Sequence, residues 1–199
     1  MNTARKLYEK DWFAFSDAHA EWREDIFATP WDREVMDHWD EILSAIGIES
    51  DTDSWTHNAD SAENATLSMD AMWRHNEAWK PDVVGLLLEP QLRTAVLALG
   101  AVLDCVEDLY PCCCAVISAD SKGIGCCAFA RDADIVDDDA LMEQLLMEHV
   151  QIVLNLFAEM LAGAKKEHLS EFAFIRDAER HGWLYDDRGN RIGQQRKAA

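Results

Sequence analysis

Long apolar runs are scarce in this sequence of 199 residues, and so is lysine, with 7. The opening stretch, Met1 to Asp11, has no apolar run of the kind that a secretory signal needs, so none is expected. The most apolar stretches, Val83 to Leu88 and Leu92 to Leu103, are interrupted by Glu89, Pro90 and Arg93. Neither part reaches the roughly eighteen residues of a membrane span. The expectation is a cytoplasmic protein with no membrane partner. Chemical motifs are missing too. There is no glycine-rich phosphate loop, no GxSxG elbow, no dinucleotide fingerprint and no HExxH zinc pair. Gly123-Ile124-Gly125 lacks the third glycine and follows a turn. No catalytic residue is therefore assigned.

What the sequence has in excess is acid. Thirty-eight acidic and 18 basic residues give a net charge of −20. Residues 1–80 hold 18 acids against 7 bases, residues 81–160 hold 14 against 3, and the last 39 residues hold 6 against 8. A field of this sign repels DNA, RNA and anionic lipid and attracts basic protein surfaces. Direct nucleic-acid binding is not expected, whereas a basic protein or a nucleic-acid-binding protein is a natural partner. Salt adaptation is the bland alternative, since Asp reaches 22 against 7 Lys, though the counts of cysteine and isoleucine fit it less well. Apolar residues make up 49% of the chain, which argues against disorder.

Periodicity predicts a mainly α fold, α+β at the margin. It reads as five to six helices around two buried ones, with a central cysteine-rich hairpin and a possible terminal hairpin. Tyr8, Trp12, Phe15, His19, Trp22 and Ile26 recur at helical spacing and predict a helix over 3–27. Thr29 and Pro30 then start a second helix, 30–46, with Trp31, Val35, Trp39, Ile42 and Ile46 on its stripe, and Gly47 stops it. Joined so closely, the two are expected to form an antiparallel hairpin over 3–47. Residues 48–63 are polar and aperiodic, a loop. Leu67, Met72, Trp73 and Trp79 predict a helix over 64–79 that Pro81 closes.

Pro90 to Leu109 is apolar over most of its circumference and reads as a buried helix. Residues 112–131 read as two strands about Asp120-Ser121-Lys122-Gly123. Helices are expected over 139–164 and 167–181, then a terminal hairpin over 183–193 and a frayed tail, 194–199. The expected organisation is one domain, 1–193, with its core over 64–182.

Three constellations could carry chemistry. The first is the cysteines. Five of the six sit at Cys112-Cys113-Cys114 and Cys126-Cys127, with Cys105 upstream. A turn centred on Ser121 and Lys122 would face Ile117 to Cys126 and Val116 to Cys127. Strand alternation then places Cys112, Cys114 and Cys127 on one face. With Cys105 as a fourth ligand they could hold zinc. No CxxC pair exists, however, and neighbouring cysteines do not form a secreted disulfide framework. The prevailing expectation is reduced, buried, small apolar side chains and no cofactor, with zinc or redox use as the alternative.

The second is carboxylates. Glu21-x-x-Glu24 and Glu34-x-x-Asp37 flank Pro30 symmetrically. The pattern resembles the way all-helical nucleotide pyrophosphatases hold magnesium, which would make the chain a small metal-dependent hydrolase. At about 100° per residue, Glu21 and Glu24 fall near ~220° and ~160° from the apolar stripe, and Glu34 and Asp37 near ~260° and ~200°. All four point outward, and a converging site needs inward positions. Asp17, Glu21 and Glu24 on the first helix, and Glu34, Asp37 and Glu41 on the second, then form acidic faces for a partner. Trp55 adds an aromatic anchor from within the polar loop.

The third is single histidines. His149 lies in an apolar stripe, where a hydrogen-bonded core role is the usual one. The functional expectation is thus an acidic interaction protein that binds a basic partner. Phage and plasmid proteins directed against restriction or CRISPR systems work this way as nucleic-acid mimics, a likeness of class only. Homodimerisation through the long apolar helices is a further expectation.

Overall fold

A computed structural model of the chain describes residues 1–27, 31–50, 55–59, 65–74, 84, 89–110, 114–123, 125–131, 134–135 and 140–194. The fold is mainly α with some β: six helices, a small antiparallel sheet and a terminal hairpin lie among the described residues. The chain divides into two compact units. One comprises Met1–Arg33 with Ala164–Ala199, the other Glu34–Gly163.

In the first unit the helix expected over 3–27 is two helices, α1 (Ala4–Lys10) and α2 (Trp12–Phe27). The break is at Asp11, whose backbone leaves the helical region at φ −147°, ψ 89°. Its amide still closes α1 on the Leu7 carbonyl at 2.8 Å. Its carboxylate accepts the Ala14 N–H at 3.2 Å, which caps α2. A short acidic side chain competes for backbone donors in this way, and apolar spacing alone does not register it. Thr3 caps α1 and Ser170 caps the last helix (Glu171–His181) through the Ala173 N–H. Gly182 ends that helix at φ +68°, a left-handed cap that glycine adopts without strain.

The apolar stripe of α2, with Phe15, Ala18 and Trp22, packs into one core with Phe174, Ala178 and Tyr185. Phe174 is the hub, its ring centroid 5.4 Å from Phe15, 5.5 Å from His19 and from Trp22, and 5.9 Å from Tyr185. A hairpin of two strands, β7 (Trp183–Tyr185) and β8 (Arg191–Gln194), follows. Asn2 pairs its backbone with Tyr185 in both directions at 2.8 Å and so ties the N-terminus to that hairpin. Outside the core, the Arg5 guanidinium grips Glu179 with two bonds, 2.6 and 3.1 Å, and holds that carboxyl below the usual range. The turn expected at Thr29-Pro30 lies outside the described residues.

The second unit is built on the sheet. Strands β1 (Ile48–Ser50) and β2 (Thr56–Asn58) pair with different lengths of one edge of β3 (Thr66–Arg74). β3 pairs with β4 (Cys114–Asp120), β4 with β5 (Gly125–Arg131), and β5 with β6 (Asp134–Ile135), all antiparallel. Three helices complete the unit: α3 (Arg33–Ser44), α4 (Pro90–Leu109) and α5 (Ala140–His168), whose residues 164–168 belong to the first unit; the helix that follows it, Glu171–His181, is α6.

The helix expected over 64–79 is therefore corrected to a strand. Leu67, Met69, Ala71 and Trp73 are buried and alternate with Ser68, Asp70, Met72 and Arg74. That is period two, the mark of a sheet buried on one face. Leu67, Met72, Trp73 and Trp79 are too few over so short a window to fix a period, and strand pairing decides it. The loop expected over 48–63 likewise contributes two short edge strands. Trp79 and Pro81 lie outside the described residues.

The hairpin expected at 112–131 exists, one residue out of the expected register. Ile117 faces Cys127, Ser118 faces Cys126 and Cys114 faces Ala130. The turn takes in one residue more than the symmetric reading allows, and Gly123 adopts φ +94° within it. A slip of one residue exchanges the faces. Ala115, Ile117, Ala119, Cys127 and Phe129 are buried, whereas Val116, Ser118 and Cys126 are exposed.

α4 occupies the range expected for it and buries Leu92, Val96, Leu99, Leu103 and Val106. α5 buries Leu146, Val150, Val153, Leu154 and Phe157 but exposes Leu141 and Ile152. By length and composition α5 could cross a membrane, with a mean hydropathy of 1.4 over its best window. The same composition belongs to a helix that packs into a protein core. Phe157 stacks on Trp39 of α3 at 4.6 Å and 9°, so the stripe of α3 is spent inside this unit.

Candidate functional site

The two acidic faces exist as exposed stripes, each on its own unit. Asp17, Glu21 and Glu24 stand one above another on α2, and Glu34, Asp37 and Glu41 on α3, and all six are exposed. The spacings of three, four and seven bring each trio onto one helix face. His38 lies 3.7 Å from Glu41. The other five make no ion pair with any described residue. Uncompensated carboxylates on a helix face keep their full field available to a cation from outside.

Trp55 does not stand out as an anchor. It is half-buried, and its ring lies 6.4 Å from that of Trp39. Its indole N–H is shared between Asp40 Oδ1 and Ser50 Oγ, both at 3.0 Å. Ser50 also donates to Asp40, so the last residue of β1 and Trp55 meet at one carboxylate of α3. A tryptophan in a polar loop satisfies its N–H more cheaply this way than in water beside a bare hydrophobic face.

The observed register separates two of the four cysteines of the zinc alternative. Cys114 and Cys127 occupy opposite faces of the sheet, a direct result of the observed register. Cys127 is buried, Cys114 half-buried, and Cys126 and Cys105 are exposed. Cys112 and Cys113 lie outside the described residues. Among the described residues no group of three or more His, Cys, Asp and Glu side chains is arranged to hold a metal. His149 bonds its Nδ1 to the Leu145 carbonyl one turn back at 2.9 Å, a local role.

No match is found. Comparison with protein-family models, with curated proteins and with solved structures returns none for this chain. The functional reading therefore rests on the residues themselves.

One site has no counterpart in the expectations above. In the first unit, α2, α6 and the end of α5 enclose a cleft of about 180 Å³. Trp22, Ile26 and Ala173 form its apolar side, and His168, Arg176, Asp177 and Arg180 its polar one. Asp177 is already committed, because its Oδ2 accepts the Trp22 indole N–H at 2.9 Å and its Oδ1 lies 3.0 Å from His181 Nδ1. The signal in the sequence was the pair of arginines four apart in the least acidic part of the chain. Their significance depends on what α2 brings across from them, which no local pattern contains.

Proposed function

We propose that the chain is an interaction protein that docks on a basic protein surface through its acidic helix faces. The supporting observation is that Asp17, Glu21, Glu24, Glu34 and Asp37 are exposed and make no ion pair with any described residue. In a monomer that needed these carboxylates only for its own stability, many would face a lysine or arginine at i±4. Here they add to a net charge of −20. Such a field raises the association rate with basic surfaces and rejects acidic ones, while apolar contacts supply most of the affinity. A nucleic-acid-binding protein is the partner this charge suits best, its channel being shaped for a polyanion. Inhibition by occupying that channel, as anti-restriction and anti-CRISPR mimics do, is the specific form of the proposal. It places the protein in the cytoplasm, as a monomer or a homodimer.

The test begins with the partner captured by the full chain from its native host. Its affinity is then titrated against the wild type and against a variant carrying Asp17→Asn, Glu21→Gln and Glu24→Gln. Screening predicts roughly tenfold weaker binding when ionic strength rises from about 0.05 M to about 0.3 M. The variant should bind more weakly at low salt and converge on the wild type at high salt. An affinity indifferent to ionic strength refutes the proposal.

A further inference from the structure

The cleft between α2 and α6 combines an apolar wall with cationic groups that pair with no described residue. Arg176 and Arg180 are four residues apart on α6, both exposed, and neither makes an ion pair with a described residue. Like charges at this spacing destabilise a helix, and a bound anion between them removes the repulsion. The arrangement is conspicuous in a chain where acids outnumber bases 38 to 18, because a carboxylate partner is easily found elsewhere on such a surface. His168 lines the same cleft. Its Nε2 is shielded from solvent and has no hydrogen-bond partner among the described residues, and its ring stacks on Trp31 with centroids 6.2 Å apart.

We propose that this cleft binds a small organic monocarboxylate with a flat apolar body, an arylalkanoate. The carboxylate is held by the guanidinium groups of Arg176 and Arg180, whose planar forks match two oxygens. The apolar body lies against the Trp22 indole, Ile26 and Ala173, all of them wall residues of the cleft. The Trp22 ring is held for this by its bond to Asp177, whose other oxygen lies 3.0 Å from His181 Nδ1. The net charge of −20 repels anions at a distance, so discrimination comes from short-range contact rather than from the field. Inorganic anions gain nothing from the apolar wall and bind more weakly than the organic acid. An open cleft and a ligand of this size predict weak binding.

The test is a calorimetric titration of the full chain with 3-phenylpropionate, its methyl ester and sodium sulfate at constant ionic strength. Saturable heat is expected for the acid, with the ester and sulfate each roughly tenfold weaker or silent. Arg176→Gln and Arg180→Gln should each weaken the acid roughly tenfold, and Lys122→Gln, outside this unit, should not. Glutamine preserves helix propensity, and a far-ultraviolet circular dichroism spectrum verifies the fold. The comparison of acid with ester uses the wild type and stands even if a variant fails to fold. Absence of saturable binding, an ester or sulfate that binds as well as the acid, or arginine variants that bind like the wild type each overturn the proposal.

Discussion

Phe172 and Phe174 lie two residues apart on α6, yet the first is 75% exposed and the second 0%. Substituting each by alanine changes the same atoms on the same helix, so the contrast isolates packing from propensity. Phe174 contacts Phe15, His19, Trp22 and Tyr185 through its ring. Withdrawing a buried phenylalanine forfeits about 2 kcal/mol of transfer free energy. The cavity left behind adds about 2 kcal/mol if half to most of the ring volume stays empty. The expected loss for Phe174→Ala is therefore about 4 kcal/mol, within the usual range for this substitution. That is most of what a unit of this size has to lose. For Phe172→Ala the expected change is under about 0.5 kcal/mol. Urea denaturation followed by near-ultraviolet circular dichroism, which reports the packed aromatic side chains, measures both. Similar losses for the two variants, or a larger one for Phe172→Ala, would refute the placement of α6 and with it the cleft.

Three further predictions test other parts of the structure. Brief alkylation of the native protein, mapped by mass spectrometry, should label Cys126 well before Cys127, because the β4–β5 register exposes one and buries the other. Labelling of Cys127 ahead of Cys126 would return the hairpin to the symmetric register, which pairs Cys126 with buried Ile117. Gly189 sits at φ +88°, and a Cβ there would come 2.1 Å from the Ala14 carbonyl oxygen, whereas a Cβ on Gly193 meets nothing within 4 Å. Gly189→Ala should cost at least about 2 kcal/mol and Gly193→Ala almost nothing, as read from thermal midpoints. Burial, opposed by the Leu169 carbonyl, holds the His19 imidazole below its ordinary value. The unfolded chain then takes up the proton first, so this contribution is complete above about pH 6.5 and is lost as pH falls through the folded value. The wild type should lose stability between about pH 7.5 and about pH 5 more steeply than His19→Gln; parallel curves would remove His19 as the cause.

Much of the architecture was legible along the chain. The stripes of α2, α3, α4 and α5, the glycine cap at Gly182 and both hairpins follow from apolar spacing and turn residues. These are local properties that few neighbours can override. The outward direction of Asp17, Glu21, Glu24, Glu34, Asp37 and Glu41 was legible for the same reason, since a helix fixes which residues share a face.

What tertiary structure alone decided lies between elements. Leu67 to Trp73 became a strand because β1, β2 and β4 offer hydrogen-bonding partners on both edges, and short apolar windows carry no period of their own. The β4–β5 register depends on one extra residue in the turn, and that residue parts Cys114 from Cys127. The half-burial of Trp55 follows from Asp40 and Ser50, which accept its N–H. The cleft joins residues from α2 and α6, more than 140 positions apart, so no window of sequence contains it. Acid content, helix faces and caps belong to the chain itself. Register, burial and the meeting of Trp22 with Arg176 belong to the fold, because each depends on a partner that the local sequence does not name.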